Sequence, residues 1–291
     1  MSTISNHYCS FLKHCCETHN QAELKKLHCL IIRTIVNAET FLLNNVVNSY
    51  NKLGNLSYAR KVFDQISQPN LFSWNTVLSV YSKSGRVVEM NEIFDRMPRR
   101  DGVSWNLVIS GYVACGMSAK AVEAYKMMVR DGVRDLNRIT FSTMLILSSN
   151  KGYVGLGRQI HGQVVKCGFG SYVFVGSPLV DMYSKSGLIY DAERVFERLP
   201  ERNVVMYNTM LSGLLRCGMV EESKCLFHGM PEKDSVSWTT MITGFTQNSL
   251  GREAIDLFRA MRLEGLGAEH QKVMEENSEW FAPNKSTVDV R

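Results

Sequence analysis

Apolar side chains return along this chain in columns set 31 residues apart. The phrase Leu71-Phe72-Ser73-Trp74-Asn75 comes back, 31 residues on, as Gly102-Val103-Ser104-Trp105-Asn106. Val204-Val205-Met206-Tyr207-Asn208 comes back in the same way as Ser235-Val236-Ser237-Trp238-Thr239. With Asn75 set as the fifth residue of its unit, the units run 5–39, 40–70, 71–101, 102–137, 138–172, 173–203, 204–234 and 235–266. The fourth place then holds Trp74, Trp105, Tyr207 and Trp238. The eighth holds Val47, Leu78, Ile109, Val180, Leu211 and Ile242, and the eleventh Tyr50, Tyr81, Tyr112, Tyr183, Leu214 and Phe245. This i, i+4, i+7 spacing puts one apolar stripe on a first helix.

A second helix follows a glycine column of Gly54, Gly85, Gly116, Gly187 and Gly218. Glycine there supplies the left-handed residue that ends the first helix. The twentieth place is small (Ala59, Ala121, Ala192, Ser223, Ala254), with Met90 the exception. Four residues on stands a ring: Phe63, Phe94, Tyr125, Phe196, Phe227 or Phe258. Small residue and ring together predict a knob and hole between the two helices of a unit. Pro98, Pro200 and Pro231 stop the second helix. Units 5–39 and 138–172 lack the Trp-Asn phrase and share a second-helix histidine, His28 and His161, so two repeat types are interleaved. A fixed period of this size predicts an all-α solenoid of helix-turn-helix repeats, whose function lies along a repeated surface instead of in one pocket. After Gly265 the columns fail, and 267–291 is expected to be an irregular tail.

Composition changes this picture little. Apolar content of 45% suffices for burial between repeats, and a formal charge of +5 permits a nucleic-acid partner without arguing for one. Eight cysteines contain no Cys-x-x-Cys pair, so no zinc signature is present, and they are expected to be reduced thiols. No run of 18 apolar residues indicates a membrane span. The glycines Gly152, Gly155 and Gly157 follow no Val/Ile-rich strand, which excludes a nucleotide-loop reading.

The mix of 31- and 35-residue units, the phrases Val-Ser-Trp-Asn and Val-Phe-Val-Gly, Ala-Arg-Lys-Val-Phe-Asp at 59–64 and Asp-Met-Tyr-Ser-Lys-Ser-Gly at 181–187 resemble the pentatricopeptide repeat family of plant organelles, in its PLS subclass. The resemblance covers residues 5 to about 266. It implies a right-handed superhelical α-solenoid that binds single-stranded RNA, one base per repeat. It also implies that the fifth and last residues of a unit read the base. Those pairs are Asn44 with Asn70, Asn75 with Asp101, Asn106 with Asn137, Ser177 with Asn203 and Asn208 with Asp234; Thr239 stands without an assigned partner. Cys9 with Glu39 and Ser142 with Tyr172 fit no pairing rule.

By the family's rules these pairs imply a target of any–pyrimidine–U–pyrimidine–any–A–U–purine, written 5′ to 3′. The second-place residues Phe41, Phe72, Val103, Phe174, Val205 and Val236 would wedge between adjacent bases. At the thirteenth place Lys52, Lys83, Lys185 and Arg216 recur at one spacing. They suit a phosphate track, and equally the C-terminal ends of helix dipoles.

Trp74, Trp105 and Trp238 are expected in the core because their i+4 partners are apolar. The fifth-place asparagines could serve as solvated helix-start residues, but their register with the closing Asn or Asp favours base reading. His28 and His161 are expected to be structural, with no metal site and no cofactor.

Long members of the subclass end in a zinc-dependent cytidine deaminase, which needs His-x-Glu and a paired-cysteine segment. Neither occurs here, so the chain is expected to be a truncated or alternatively ended member, not an enzyme, that works with a separate editing deaminase or other editing factors. The implied setting is RNA processing or C-to-U editing in a mitochondrion or chloroplast. Met1 to Ile4 are too few for a transit peptide, so either the first unit doubles as one or the true start lies elsewhere. A helical scaffold for protein partners is the alternative, and it has no need of paired amides and carboxylates at fixed places.

Overall fold

A computed structural model describes residues 3–34, 40–132 and 136–264. Among the described residues every regular element is a helix, sixteen in all. Glu39 and the expected tail lie outside them. The chain divides into two compact units, Met1–Thr143 and Met144–Arg291, where the repeat pattern predicts no boundary. A stack in which each hairpin touches only its neighbours has no single core to hold it as one body.

The first unit runs through α1 (Thr3–Glu17), α2 (Gln21–Thr34), α3 (Thr40–Lys52), α4 (Leu56–Asp64), α5 (Leu71–Lys83), α6 (Val87–Arg96), α7 (Gly102–Ala114) and α8 (Ser118–Arg130). Helix α9 (Arg138–Lys151) straddles the division. The second unit continues with α10 (Val154–Lys166), α11 (Val173–Lys185), α12 (Ile189–Arg198), α13 (Val204–Arg216), α14 (Val220–His228), α15 (Ser235–Gln247) and α16 (Gly251–Leu263). Each odd-numbered helix is the first of a hairpin. In the first unit α3 packs on α4 and α5, and α5 on α6 and α7. In the second, α11 packs on α12 and α13, and α13 on α14 and α15. First helices therefore form one continuous wall in each unit.

The turn inside each hairpin depends on the fifteenth place. Gly54, Gly85, Gly116, Gly187 and Gly218 have φ of 73, 69, 71, 73 and 73° there. An L side chain pays a steric penalty in that region. His19 (φ 52°) and Ser249 (φ 62°) occupy the same place without being glycine.

The ring column makes contacts that the pattern did not suggest. It reaches forward to the next hairpin. Phe63 meets Trp74 edge-on at 5.0 Å between centroids, and Phe94 meets Trp105 at 4.8 Å. Phe196 meets Tyr207 and Phe227 meets Trp238, both at 5.1 Å. Each is a contact from the twenty-fourth place of one repeat to the fourth place of the next, in the geometry that ring quadrupoles favour. Trp74, Trp105 and Trp238 are buried, so they are core residues and not base platforms.

The longer repeats use another clasp at the same joint. His28 and His161 fill the ring place, and their Nδ1 atoms lie 3.1 and 2.8 Å from the hydroxyls of Tyr50 and Tyr183. Burial lowers both histidine pKa values below the ordinary range, with the Arg198 charge adding to the effect at His161. Met90, the misfit in the small column, faces Gly111 of the next hairpin. A Cβ on residue 111 would stand 2.6 Å from Met90 Sδ. Gly157 and Met182 show the reverse arrangement, also at 2.6 Å. Volume is thus exchanged across the joint, which a packed interior tolerates well.

Candidate nucleic-acid interface

The last residue of a repeat serves first as the cap of the next one. Asn70, Asp101, Asn203 and Asp234 are the N-caps of α5, α7, α13 and α15. Their side chains accept the amide protons of Ser73, Ser104, Met206 and Ser237. At Ser73, Ser104 and Ser237 the serine hydroxyl also bonds the cap's own backbone N–H, closing a capping box. The helix-start role therefore belongs to the last place, and the fifth-place asparagines do not share it.

Those asparagines instead lie low on the first-helix wall. Asn44, Asn106 and Asn208 are buried and Asn75 is half-buried. Three of them reach a last-place side chain. Asn75 Nδ2 donates to Asp101 at 3.2 Å, Asn106 Nδ2 to Asn137 Oδ1 at 3.3 Å, and Asn208 Nδ2 to Asp234 Oδ1 at 3.1 Å. Asn44 and Asn70 are not bonded to each other, nor are Ser177 and Asn203. Thr239 donates its hydroxyl back to the Ser235 carbonyl at 2.7 Å, one turn up its own helix.

Burial alone would raise the Asp101 and Asp234 carboxyls. Bonds from the backbone and hydroxyl of Ser104 and Ser237, and from Asn75 and Asn208, outweigh it and hold both below the usual aspartate value. Both therefore stay ionised at neutral pH and act only as acceptors.

All six second-place residues are exposed: Phe41, Phe72, Val103, Phe174, Val205 and Val236. In each unit a run of exposed apolar side chains beside the fifth places is not what burial alone would select. In the first unit one groove is lined by Asn44, Phe72, Asn75, Asp101 and Val103. In the second a groove is lined by Lys185, Val205, Asn208, Arg216, Asp234 and Val236. A neighbouring groove takes in Arg216, Val236 and Thr239. The structure thus gathers fifth-place, last-place and second-place residues onto shared surfaces.

The thirteenth-place cations divide. Lys52 and Lys83 are exposed. Lys185 pairs with Asp181 at 3.0 Å, and Arg216 donates to the Lys185 carbonyl at 3.5 Å. Sequence reasoning missed a further column at the thirtieth place. Arg100 and Arg202 lie over the rings of Phe94 and Phe196, 4.5 and 4.9 Å from the centroids. Both also donate to those residues' carbonyls. Lys233 lies 5.5 Å over Phe227. These cations tie down the loops that carry Asp101, Asn203 and Asp234. Their signal was a basic residue immediately before each of those three closing residues.

Among the described residues no three His, Cys, Asp or Glu side chains stand together as metal ligands. Each unit is a set of stacked helical hairpins presenting a periodic polar and apolar face, which defines a helical-repeat protein. A family model described as PPR repeat matches residues 41–68, 72–101, 103–133, 177–204, 205–235 and 236–266. The chain belongs to the pentatricopeptide repeat family.

A putative pentatricopeptide repeat-containing protein of Arabidopsis thaliana is 58% identical over 216 residues, covering 73% of this chain and 29% of that one. Another from the same plant is 45% identical over 211 residues, covering 72% and 30%. A third, named as mitochondrial, is 28% identical over 206 residues, covering 71% and 28%. This chain therefore spans less than a third of the length of these curated relatives. Among solved structures, the pentatricopeptide repeat protein PPR10 from maize matches with a TM-score of 0.60 at 17% identity, over 89% of this chain and 43% of that one. PPR10 in complex with an 18-nt psaJ RNA element matches with a TM-score of 0.53 at 18% identity, over 84% and 43%. At those identities the likeness is one of fold.

Proposed function

We propose that this chain is a sequence-selective, single-stranded RNA-binding module. It acts in organelle RNA processing or C-to-U editing as a recognition factor without catalysis of its own. The observation that carries the reading is the bonding of fifth-place to last-place side chains at three joints, beside a column of exposed apolar residues. Short amides and carboxylates can tell donors from acceptors on a base edge, and the apolar residues suit the gaps between unstacked bases. The complexed maize neighbour supports an RNA ligand, and the relative named as mitochondrial supports an organellar setting. The recurrence of one His–Tyr joint followed by two Phe–Trp or Phe–Tyr joints supports the PLS arrangement. Any base chemistry falls to a separate deaminase.

Selection from a random single-stranded RNA pool tests this reading. The enriched sequences should carry pyrimidine–U–pyrimidine and A–U–purine runs one base apart. Asn75→Thr should move the third base from uracil towards guanine. A pool that enriches nothing, or a variant with an unchanged third base, sinks the reading and leaves the protein scaffold standing.

A further inference from the structure

We infer that Ser104 and Thr140 are positioning residues that fix which edge of the reader amides Asn75 and Asn106 meets a base. The inference rests on the RNA reading proposed above and deepens it. The ionised Asp101 carboxylate only accepts, so the Asn75 group facing it must be Nδ2. Asn75 Oδ1 then lies 2.8 Å from the Ser104 hydroxyl, whose single proton is shared between it and Asp101 Oδ1 at 2.7 Å. The same logic holds one repeat on. Asn137 Oδ1 already accepts the Ile139 and Thr140 backbone amides, so Asn106 must face it with Nδ2. Asn106 Oδ1 accepts the Thr140 hydroxyl at 2.6 Å. In both repeats the carbonyl end of the reader is held by the third-place hydroxyl of the following repeat. Only the remaining N–H is left to offer, and it selects an acceptor on the base.

Asn44 and Asn208 have the same residue type and lack this bond. The hydroxyls of Ser73 and Ser237 bond Asn70 and Asp234, as Ser104 bonds Asp101, but they do not also reach the preceding reader amide. Asn44 Oδ1 and Asn208 Oδ1 are buried without a hydrogen-bond partner. A buried acceptor left unsatisfied carries a penalty that the bonded amide oxygens at 75 and 106 avoid. Identical fifth-place residues therefore fall into two kinds, with the amide oxygen bonded by a hydroxyl at 75 and 106 and left unbonded at 44 and 208. The Asn/Asp pairs at 75 and 208 are not equivalent readers.

The test uses the full chain and RNAs carrying the expected octamer, permuted at the third or the seventh base. Ser104→Ala should lower discrimination at the third base by about three- to tenfold, the worth of one hydrogen bond. Ser104→Thr, which keeps a hydroxyl as Thr140 does, should restore it. Ser237→Ala removes a matching capping box and should leave discrimination at the seventh base unchanged. Two results overturn the inference alone: Ser104→Ala leaving the third-base ratio intact while Asn75→Thr still shifts it, or Ser237→Ala relaxing the seventh base by the same factor. A wild-type chain with no third-base preference overturns this inference and the RNA reading together.

Discussion

The forward contact between hairpins makes a sharp energetic prediction. Phe94 sits on α6 and meets Trp105 on α7 edge-on at 4.8 Å, with Trp105 1% exposed. Alanine at either place would cost about 3–5 kcal/mol and threaten the joint outright. Leucine keeps most of the volume and removes the ring geometry, so a cycle of Phe94→Leu and Trp105→Leu isolates the pair. Its coupling should be about 0.5–1.5 kcal/mol. A second cycle of Phe94→Leu with Trp74→Leu, the fourth-place ring of Phe94's own hairpin, should be additive within about 0.3–0.5 kcal/mol. Urea unfolding followed by circular dichroism measures both cycles, and hydrogen exchange at α6 and α7 localises the effect if the stack does not melt as one transition. Equal coupling in the two cycles, or none in the first, would refute the assignment of the ring to the interface between repeats.

Three further outcomes follow from single residues. Ser249 holds φ of 62° where six other repeats have glycine, so Ser249→Gly should raise stability by about 0.5–1 kcal/mol in a urea melt, and a loss would show that the conformation is unstrained. Asp101 and Asp234 have depressed carboxyl pKa values in the folded chain, so their contribution is complete above the unfolded value of about 4 and is lost as pH falls through the folded values. Asp101→Asn with Asp234→Asn should flatten the acid limb of stability against pH, and an unchanged limb would place the sensitivity elsewhere. Lys83→Ala should weaken all RNAs alike and reduce the slope of log affinity against log salt by about 0.7, whereas Lys185→Ala, already paired with Asp181, should change it less.

Much of the fold was legible because each repeat carries the same short-range instructions. The period placed the starts of the first helices at Thr40, Leu71, Gly102, Val173, Val204 and Ser235. The glycine column announced left-handed turns, and apolar i+4 neighbours announced that the tryptophans are buried. All of these depend on residues within one turn or one hairpin of each other, which a sequence spacing encodes directly.

What lies across a joint does not follow from spacing. The pattern could not say that Phe94 reaches Trp105 on the next hairpin, that Met90 is large because Gly111 is small, or that Arg100 lies over Phe94. Nor could it separate Asn75 from Asn208, which share a column and a partner type and differ in whether the following serine hydroxyl also reaches the amide oxygen. Those outcomes are set by the offset between adjacent hairpins and by rotamers that many side chains must satisfy together. The repeat and its helices belong to the sequence alone; the pairing of its side chains between repeats was decided only when the helices packed.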